Sequence, residues 1–199
     1  MNPLNEDSEK KKIIIVKYNS TSSFYDDRYK NIQNEKFELH FKKTDINRKI
    51  LLDAGCGTGL LFEYISRLNG NFLGRQLKYV GIDISGKMLK HFYNKTKKIR
   101  NKINTNLILG DIENLPLRED KFNLIFSITS LQNLHDLKKG LKEIIRVGKE
   151  NAGLKLSILR KQLKLEEVIT FLNSHTFNLR TENLEELEDV IIHGSLLKD

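Results

Sequence analysis

The stretch Leu51-Leu52-Asp53-Ala54-Gly55-Cys56-Gly57-Thr58-Gly59-Leu60 constrains this 199-residue chain more than any other. A continuous apolar run enters glycines at alternate positions, and a helical pattern begins directly after them. Glycines there let the backbone turn sharply and leave room for a ligand to lie on the main chain. In a doubly wound sheet this is the carboxyl edge of the first strand, beside the switch point where ligands bind.

The rest of the chain repeats the theme. Strands are expected at Lys49–Asp53, Lys78–Asp83, Asn106–Leu109, Phe122–Thr129 and Gly153–Leu159. Helices are expected between them at Thr58–Leu68, from the cap Ser85 to about Ile99, at Leu137–Val147 and at Lys164–His175. Ile50-Leu51-Leu52, Leu107-Ile108-Leu109 and Leu124-Ile125-Phe126 are apolar throughout, as strands buried on both faces should be. Phe177–Arg180 and Val190–Leu197 are too close in sequence for a crossover, so they should close the sheet as an antiparallel pair. The expected fold is α/β: a Rossmann-like, seven-stranded, mostly parallel sheet with helices on both faces. Residues 1–19 read as a basic tail, loose over its first 12 residues, and residues 20–199 as one domain. Within it, 20–45 form a helical cap, and 69–77 form a surface loop.

Composition narrows the setting. Cys56 is the single cysteine, which excludes an internal disulfide and suits a reducing compartment. The apolar run Ile13–Val16 is too short for a signal peptide core or a membrane span, so a soluble cytoplasmic protein is expected. The net charge of +8 is uneven: Lys87, Lys90, Lys95, Lys97, Lys98, Arg100 and Lys102 face no acid between Ile84 and Gly110, while the last residues are rich in glutamate. Such a basic flank can steer nucleic acid, or it can be a solvated helix face.

Three strand ends carry the chemistry. Asp53 precedes the glycine turn and can accept from loop amides or a cationic amine. Asp83, in Val80-Gly81-Ile82-Asp83-Ile84-Ser85, can take both hydroxyls of a ribose, a feature dehydrogenases share. Asp111, in Leu109-Gly110-Asp111-Ile112, can accept from an adenine amino group while Ile112 packs on the ring. A dinucleotide site would want a third glycine where Leu60 stands, and a phosphate-binding loop would want Lys followed by Ser or Thr.

The ordered set resembles the class I S-adenosylmethionine-dependent methyltransferases, in particular their type 11 and type 25 members, over about residues 20 to 160. Arg118–Ser127 looks like that family's fourth strand, with Asn123 where Asp is usual. The resemblance implies S-adenosylmethionine as cofactor. It places Asp53, Gly55, Cys56, Gly57 and Gly59 around the methionine part, Asp83 and Ile84 at the ribose, and Asp111 and Ile112 at adenine. It brings Ser127 and Ile128 near the sulfonium, and Tyr25 and Arg28 over the cofactor from the N-terminal helix. Cys56 otherwise reads as a small buried residue, and Tyr25 and Arg28 as helix packing and surface charge.

The acceptor should lie after the fourth strand, at Ser127-Ile128-Thr129-Ser130-Leu131-Gln132-Asn133-Leu134-His135-Asp136. Gln132 and Asn133 could orient it, and His135 could take a proton, unless His135 and Asp136 simply begin the next helix. No Asn/Asp-Pro-Pro-Tyr/Phe segment, second cysteine or metal-ligand spacing is present. Tyr25, Arg28 and Gln33, together with the motifs above, also resemble the small-subunit rRNA guanine-N7 methyltransferase and its archaeal relatives, which implies an RNA acceptor and a small zinc-binding activator subunit. Asn133 in place of Trp and the acidic C-terminus depart from that pattern. A small cap, leaving an open site, tilts the reading toward RNA. A small-molecule methyltransferase of the quinone-biosynthesis type and a non-catalytic cofactor-binding subunit stand as alternatives.

Overall fold

The computed structural model describes residues 3–42, 44–68, 76–99, 103–162 and 165–198. Its core is a seven-stranded sheet of β1 (Ile50–Ala54), β2 (Lys78–Asp83), β3 (Asn104–Leu109), β4 (Phe122–Ile128), β5 (Gly148–Leu159), β6 (Thr176–Glu182) and β7 (Asp189–Leu196). The strand order is β3-β2-β1-β4-β5-β7-β6, parallel except where β7 runs against β5 and β6. The expected fold is the observed one. The order reverses between β1 and β4, which opens a crevice at their carboxyl ends.

Adjacent strand residues point to opposite faces, so Leu51 and Leu52 feed two separate cores. On the Leu51 side, Tyr79, Leu124 and Phe126 pack against α2 (Tyr25–Phe41), α3 (Leu60–Leu68) and α4 (Gly86–Lys98). On the Leu52 side, Ile82, Ile125 and Leu154 pack against α5 (Leu137–Val147) and α6 (Leu165–Asn173). Ser85 caps α4 by accepting from the Met88 amide, and Asp136 caps α5 through Lys139.

The N-terminus departs from expectation. Pro3–Thr21 is a helix, α1, rather than a basic tail loose over its first 12 residues, and the helical cap expected at 20–45 is broken at 22–24. The Ser20 and Thr21 hydroxyls donate to the Lys17 carbonyl, and Ser22 donates to Asn19. These bonds cap the last carbonyls of α1 and end it. Strand β5 also starts earlier than expected, because Gly148 pairs with Phe122 ahead of a register shift. Most of the expected 69–77 loop, with Arg100 and Lys102 of the basic run, lies outside the described residues. Among the described residues, no helix is long and apolar enough to cross a membrane.

Candidate functional site

The glycine loop is tied to the next strand. The Gly55 and Cys56 amides both donate to the Ile82 carbonyl, at 2.8 and 2.9 Å, and the Gly57 amide donates to Asp83 Oδ2 at 2.8 Å. Asp83 Oδ1 accepts from the Ser85 amide at 2.8 Å, so this carboxylate joins loop, strand and helix cap. Each oxygen keeps a lone pair for a further donor. Gly57 has φ +52°, and a methyl group there would meet nothing within 4 Å: the backbone faces open space. Gly59 differs, since its added carbon would fall 2.4 Å from the Phe92 ring, so its role is close packing of α4 on the loop.

A cleft lies over the strand ends. Gly55, Gly57, Asp83, Ile84, Asp111 and Ile112 line its floor. A second, smaller cleft continues past Gly55 and Gly57 to Asp53, Cys56 and Thr58, with Tyr25 and Ile128 shared by both. Asp83 and Asp111 thus meet at the larger cleft, while Asp53 borders the smaller one. Asp53 is buried and accepts from the Tyr79 hydroxyl. Burial raises its pKa to about 7, the Tyr79 bond lowers it, and the charge of Asp83 raises it. Burial likewise holds the Cys56 thiol and the Asp83 carboxyl above their ordinary ranges, which keeps the thiol un-ionised.

Other expected residues are placed differently. Arg28 is exposed, lies over the Tyr29 ring at 5.3 Å and lines neither of these clefts, standing instead at the larger cavity between α1 and α2. Ser127 is buried beneath the floor, donating to the Ala54 carbonyl at 2.9 Å. His135 is exposed, and its backbone amide is held by Glu113 Oε1 at 2.6 Å as part of the entry to α5. Lys95, from the basic run, is paired with Asp26 at 2.5 Å and Glu63 at 3.4 Å.

Helix α1 forms the roof, which sequence reasoning missed. Lys11, Ile14 and Tyr18, spaced three and four apart, project from one face into the larger cleft. Lys11 Nζ bridges Asp111 Oδ2 at 2.9 Å and Glu113 Oε2 at 3.0 Å. Asn133 donates to the Tyr18 hydroxyl at 2.9 Å, and Asn19 Oδ1 accepts from Ser85 Oγ at 2.8 Å, so the helix is fastened to both rims. The open site expected under a small cap is instead covered by two helices.

Behind the roof a third cavity lies between α1, α2, the turn Leu131–Asn133 and the start of β7. Tyr18, Tyr25, Thr129 and Asn133 belong both to this cavity and to the clefts over the glycine loop. Its inner end holds a polar cluster that the sequence did not announce. The Thr129 hydroxyl accepts from Lys36 Nζ and donates to Asp189 Oδ2, each at 2.8 Å, and Lys36 pairs with Asp189 Oδ1 at 2.7 Å. Thr129 has φ +54°, a strained conformation for a β-branched residue, held at the wall between the sites.

The comparisons agree with this geometry. A family model described as a methyltransferase domain matches residues 52–154. A malonyl-[acyl-carrier protein] O-methyltransferase of Hamiltonella defensa is 34% identical over 123 residues, covering 62% of this chain and 43% of the relative. A demethylmenaquinone methyltransferase of Staphylococcus haemolyticus is 31% identical over 151 residues, covering 72% and 59%. The chain spans about half the length of the curated relatives it matches. Among solved structures, a SAM dependent methyltransferase from Aquifex aeolicus superposes with TM-score 0.71 at 19% identity, covering 90% of this chain and 98% of its own. A putative methyltransferase in complex with the Haloferax volcanii Trm112 methyltransferase activator gives 0.67 at 13%, covering 92% and 96%. With its glycine loop, its acidic strand ends and this match over the core of the sheet, the chain belongs to the class I S-adenosylmethionine-dependent methyltransferases.

Proposed function

We propose that this chain transfers a methyl group from S-adenosylmethionine to a small molecule held in the cavity behind Tyr18 and Tyr25. The observation that carries the reading is the shared wall: Tyr18, Tyr25, Thr129 and Asn133 border both the cleft over the glycine loop and the large cavity.

The residues present fit the cofactor. Bound there, it supplies a methyl on a sulfonium, an electrophile that needs alignment and no nucleophilic side chain. Asp83 has acceptor capacity for the ribose hydroxyls, and Asp111 and Ile112 take the adenine end. The open space over Gly57 admits the ligand, and the buried Asp53 gains from a cationic amine beside it. Tyr25 and Ile128, common to both clefts, flank the passage where the methyl is presented. The chain's own contribution is to hold donor and acceptor in line and to exclude water.

Two features support a small molecule over RNA. Two helices enclose the site, and the cavity carries Glu35, Glu186 and Glu188 beside Lys17 and Arg28, a mixed lining that gives a polyanion little net attraction. The names of the relatives, a malonyl-carrier and a demethylmenaquinone methyltransferase, agree with this choice. A small zinc-binding activator is a further proposed partner, on the fold shared with the protein paired with Trm112. A chain that is monomeric and well behaved alone on gel filtration would count against it.

Transfer of labelled methyl into fractionated cell extract tests the reading. Label should enter low-molecular-weight organic material and resist ribonuclease. Label that ribonuclease releases would mean an RNA acceptor, and cofactor binding without any label would mean a non-catalytic subunit.

A further inference from the structure

Among the described residues, the three most exposed large apolar side chains are Ile13 and Val16, each 66% exposed, and Leu109, 65% exposed. All three stand at the junction of α1 with α4 and the end of β3. Ile13 and Val16 lie on the outer face of α1, turned away from Lys11, Ile14 and Tyr18, which reach into the cleft. Val16 is one turn before Asn19, whose Oδ1 accepts from Ser85 Oγ at 2.8 Å and from the Lys87 amide at 3.2 Å. That contact sets this flank of α1 against the start of α4. A carbon added at Gly86 would stand 4.0 Å from Leu109 Cδ1, so Leu109 borders the same helix start. The Lys11–Asp111 pair fastens α1 to the chain just past Leu109.

The charge at this junction is one-sided. Helical spacing of three and four places Lys10 and Lys17 beside Ile13, and Lys12 beside Val16. Lys87 and Lys90 continue the face onto α4, which carries no acid from Gly86 to Lys98. All five lysines are exposed, and Glu9, one turn before Ile13, is the acid beside them. An RNA would offer phosphates to the lysines but no apolar layer to Ile13, Val16 and Leu109. A second copy of this chain, meeting it through the same patch, would set lysine against lysine. An anionic bilayer offers both: phosphates at the headgroups, and an acyl boundary beneath them.

We infer that this face docks the chain on a lipid bilayer with anionic headgroups. Ile13, Val16 and Leu109 enter the headgroup–acyl boundary, and the five lysines lay their stems along it with their ammonium groups at the phosphates. Lys17 also lines the large cavity, so the docked face reaches the edge of that cavity.

The chain has no tryptophan, so Val16→Trp places a single reporter on the face, and Val16 lines none of the clefts. Vesicles of phosphatidylcholine, alone or with about one-third phosphatidylglycerol, are the probes. The full wild-type chain should cosediment with the acidic vesicles about tenfold more tightly or better than with the neutral ones, and added salt should weaken it. Emission of Val16→Trp should shift to the blue on acidic vesicles. Lys12→Glu combined with Lys87→Glu should lose about tenfold or more in vesicle affinity while S-adenosylhomocysteine binding persists. Equal binding to both kinds of vesicle, or to neither, would overturn the inference, and the wild-type comparison needs no variant. So would acidic binding without an emission shift, which is adsorption by charge alone. Tighter binding to a mixed-sequence RNA oligonucleotide than to acidic vesicles would give the face to nucleic acid, and a dimer that Val16→Trp disrupts would give it to a second copy; either result contradicts lipid docking.

Discussion

Lys11 Nζ lies 2.9 Å from Asp111 Oδ2, and this ion pair ties the N-terminal helix to the end of the third strand. Asp111 is the residue assigned to the adenine end, so the roof and the cofactor floor meet at one carboxylate. Helix α1 carries Lys10, Lys11, Lys12 and Lys17, all open to trypsin whenever the helix lifts. Cofactor filling the cleft should add contacts to Ile14 and Tyr18 and slow cleavage at these lysines by mass action. Digestion followed by mass spectrometry checks this. Equal cleavage with and without S-adenosylmethionine would remove α1 from the site.

Two glycines in one loop should respond in opposite ways to alanine. Gly59→Ala drives a carbon into the Phe92 ring at 2.4 Å, at positive φ, and should destabilise the fold by about 2–4 kcal/mol. Gly57→Ala meets open space and carries only the backbone cost of about 1–2 kcal/mol. Its methyl stands where the ligand should lie, so the variant should fold and lose cofactor affinity. Urea denaturation beside calorimetric titration separates the two.

Asp53 sets a pH dependence. Burial lifts its folded pKa to about 7 against an ordinary 3.8, so the folded state holds a proton that the unfolded chain releases. That contribution is complete below about pH 4 and is lost as pH rises through about 7, at up to about 1.4 kcal/mol per pH unit. Asp53→Asn stays neutral throughout. Its Tm should therefore fall less than that of the wild type between about pH 5 and pH 8. A cationic amine beside Asp53 favours the carboxylate, so cofactor binding near neutral pH should release a proton. Calorimetry in buffers of different ionisation enthalpy reads it directly.

The Lys36–Asp189 pair is buried at the inner end of the large cavity. Lys36→Met strands a carboxylate and should cost about 3–5 kcal/mol, whereas Lys36→Met with Asp189→Leu should recover much of it. A double-mutant cycle in urea measures the coupling. Independent, additive effects would contradict the pairing.

The sheet and its floor were legible because their signals are local and repeated. Each buried strand is an apolar run, and Asp53, Asp83 and Asp111 recur at successive carboxyl ends. The caps Ser85 and Asp136 follow from position alone. The roof was hidden because α1 shows the cleft only Lys11, Ile14 and Tyr18 amid charge, too few for an apolar stripe. The Lys36–Thr129–Asp189 cluster was hidden because it joins residues 60 and 93 positions apart, which only the closed sheet brings together. Arg28 was misplaced for a related reason: three residues from Tyr25 on a helix is near enough to suggest a shared face, but the packing of α2 turned Arg28 out over Tyr29. Glu113 had a findable signal, an acid two residues beyond Asp111, and its buried carboxylate supports the start of α5.

The central claim is that the cleft over the glycine loop holds S-adenosylmethionine through Asp83. Isothermal titration of the full chain, wild type and Asp83→Ala, measures it most directly. The expected result is saturable binding to the wild type, at least tenfold weaker in a variant that still melts cooperatively, as loss of a buried charged acceptor requires. Binding of equal strength in both proteins, or no heat with the folded wild type, would contradict it.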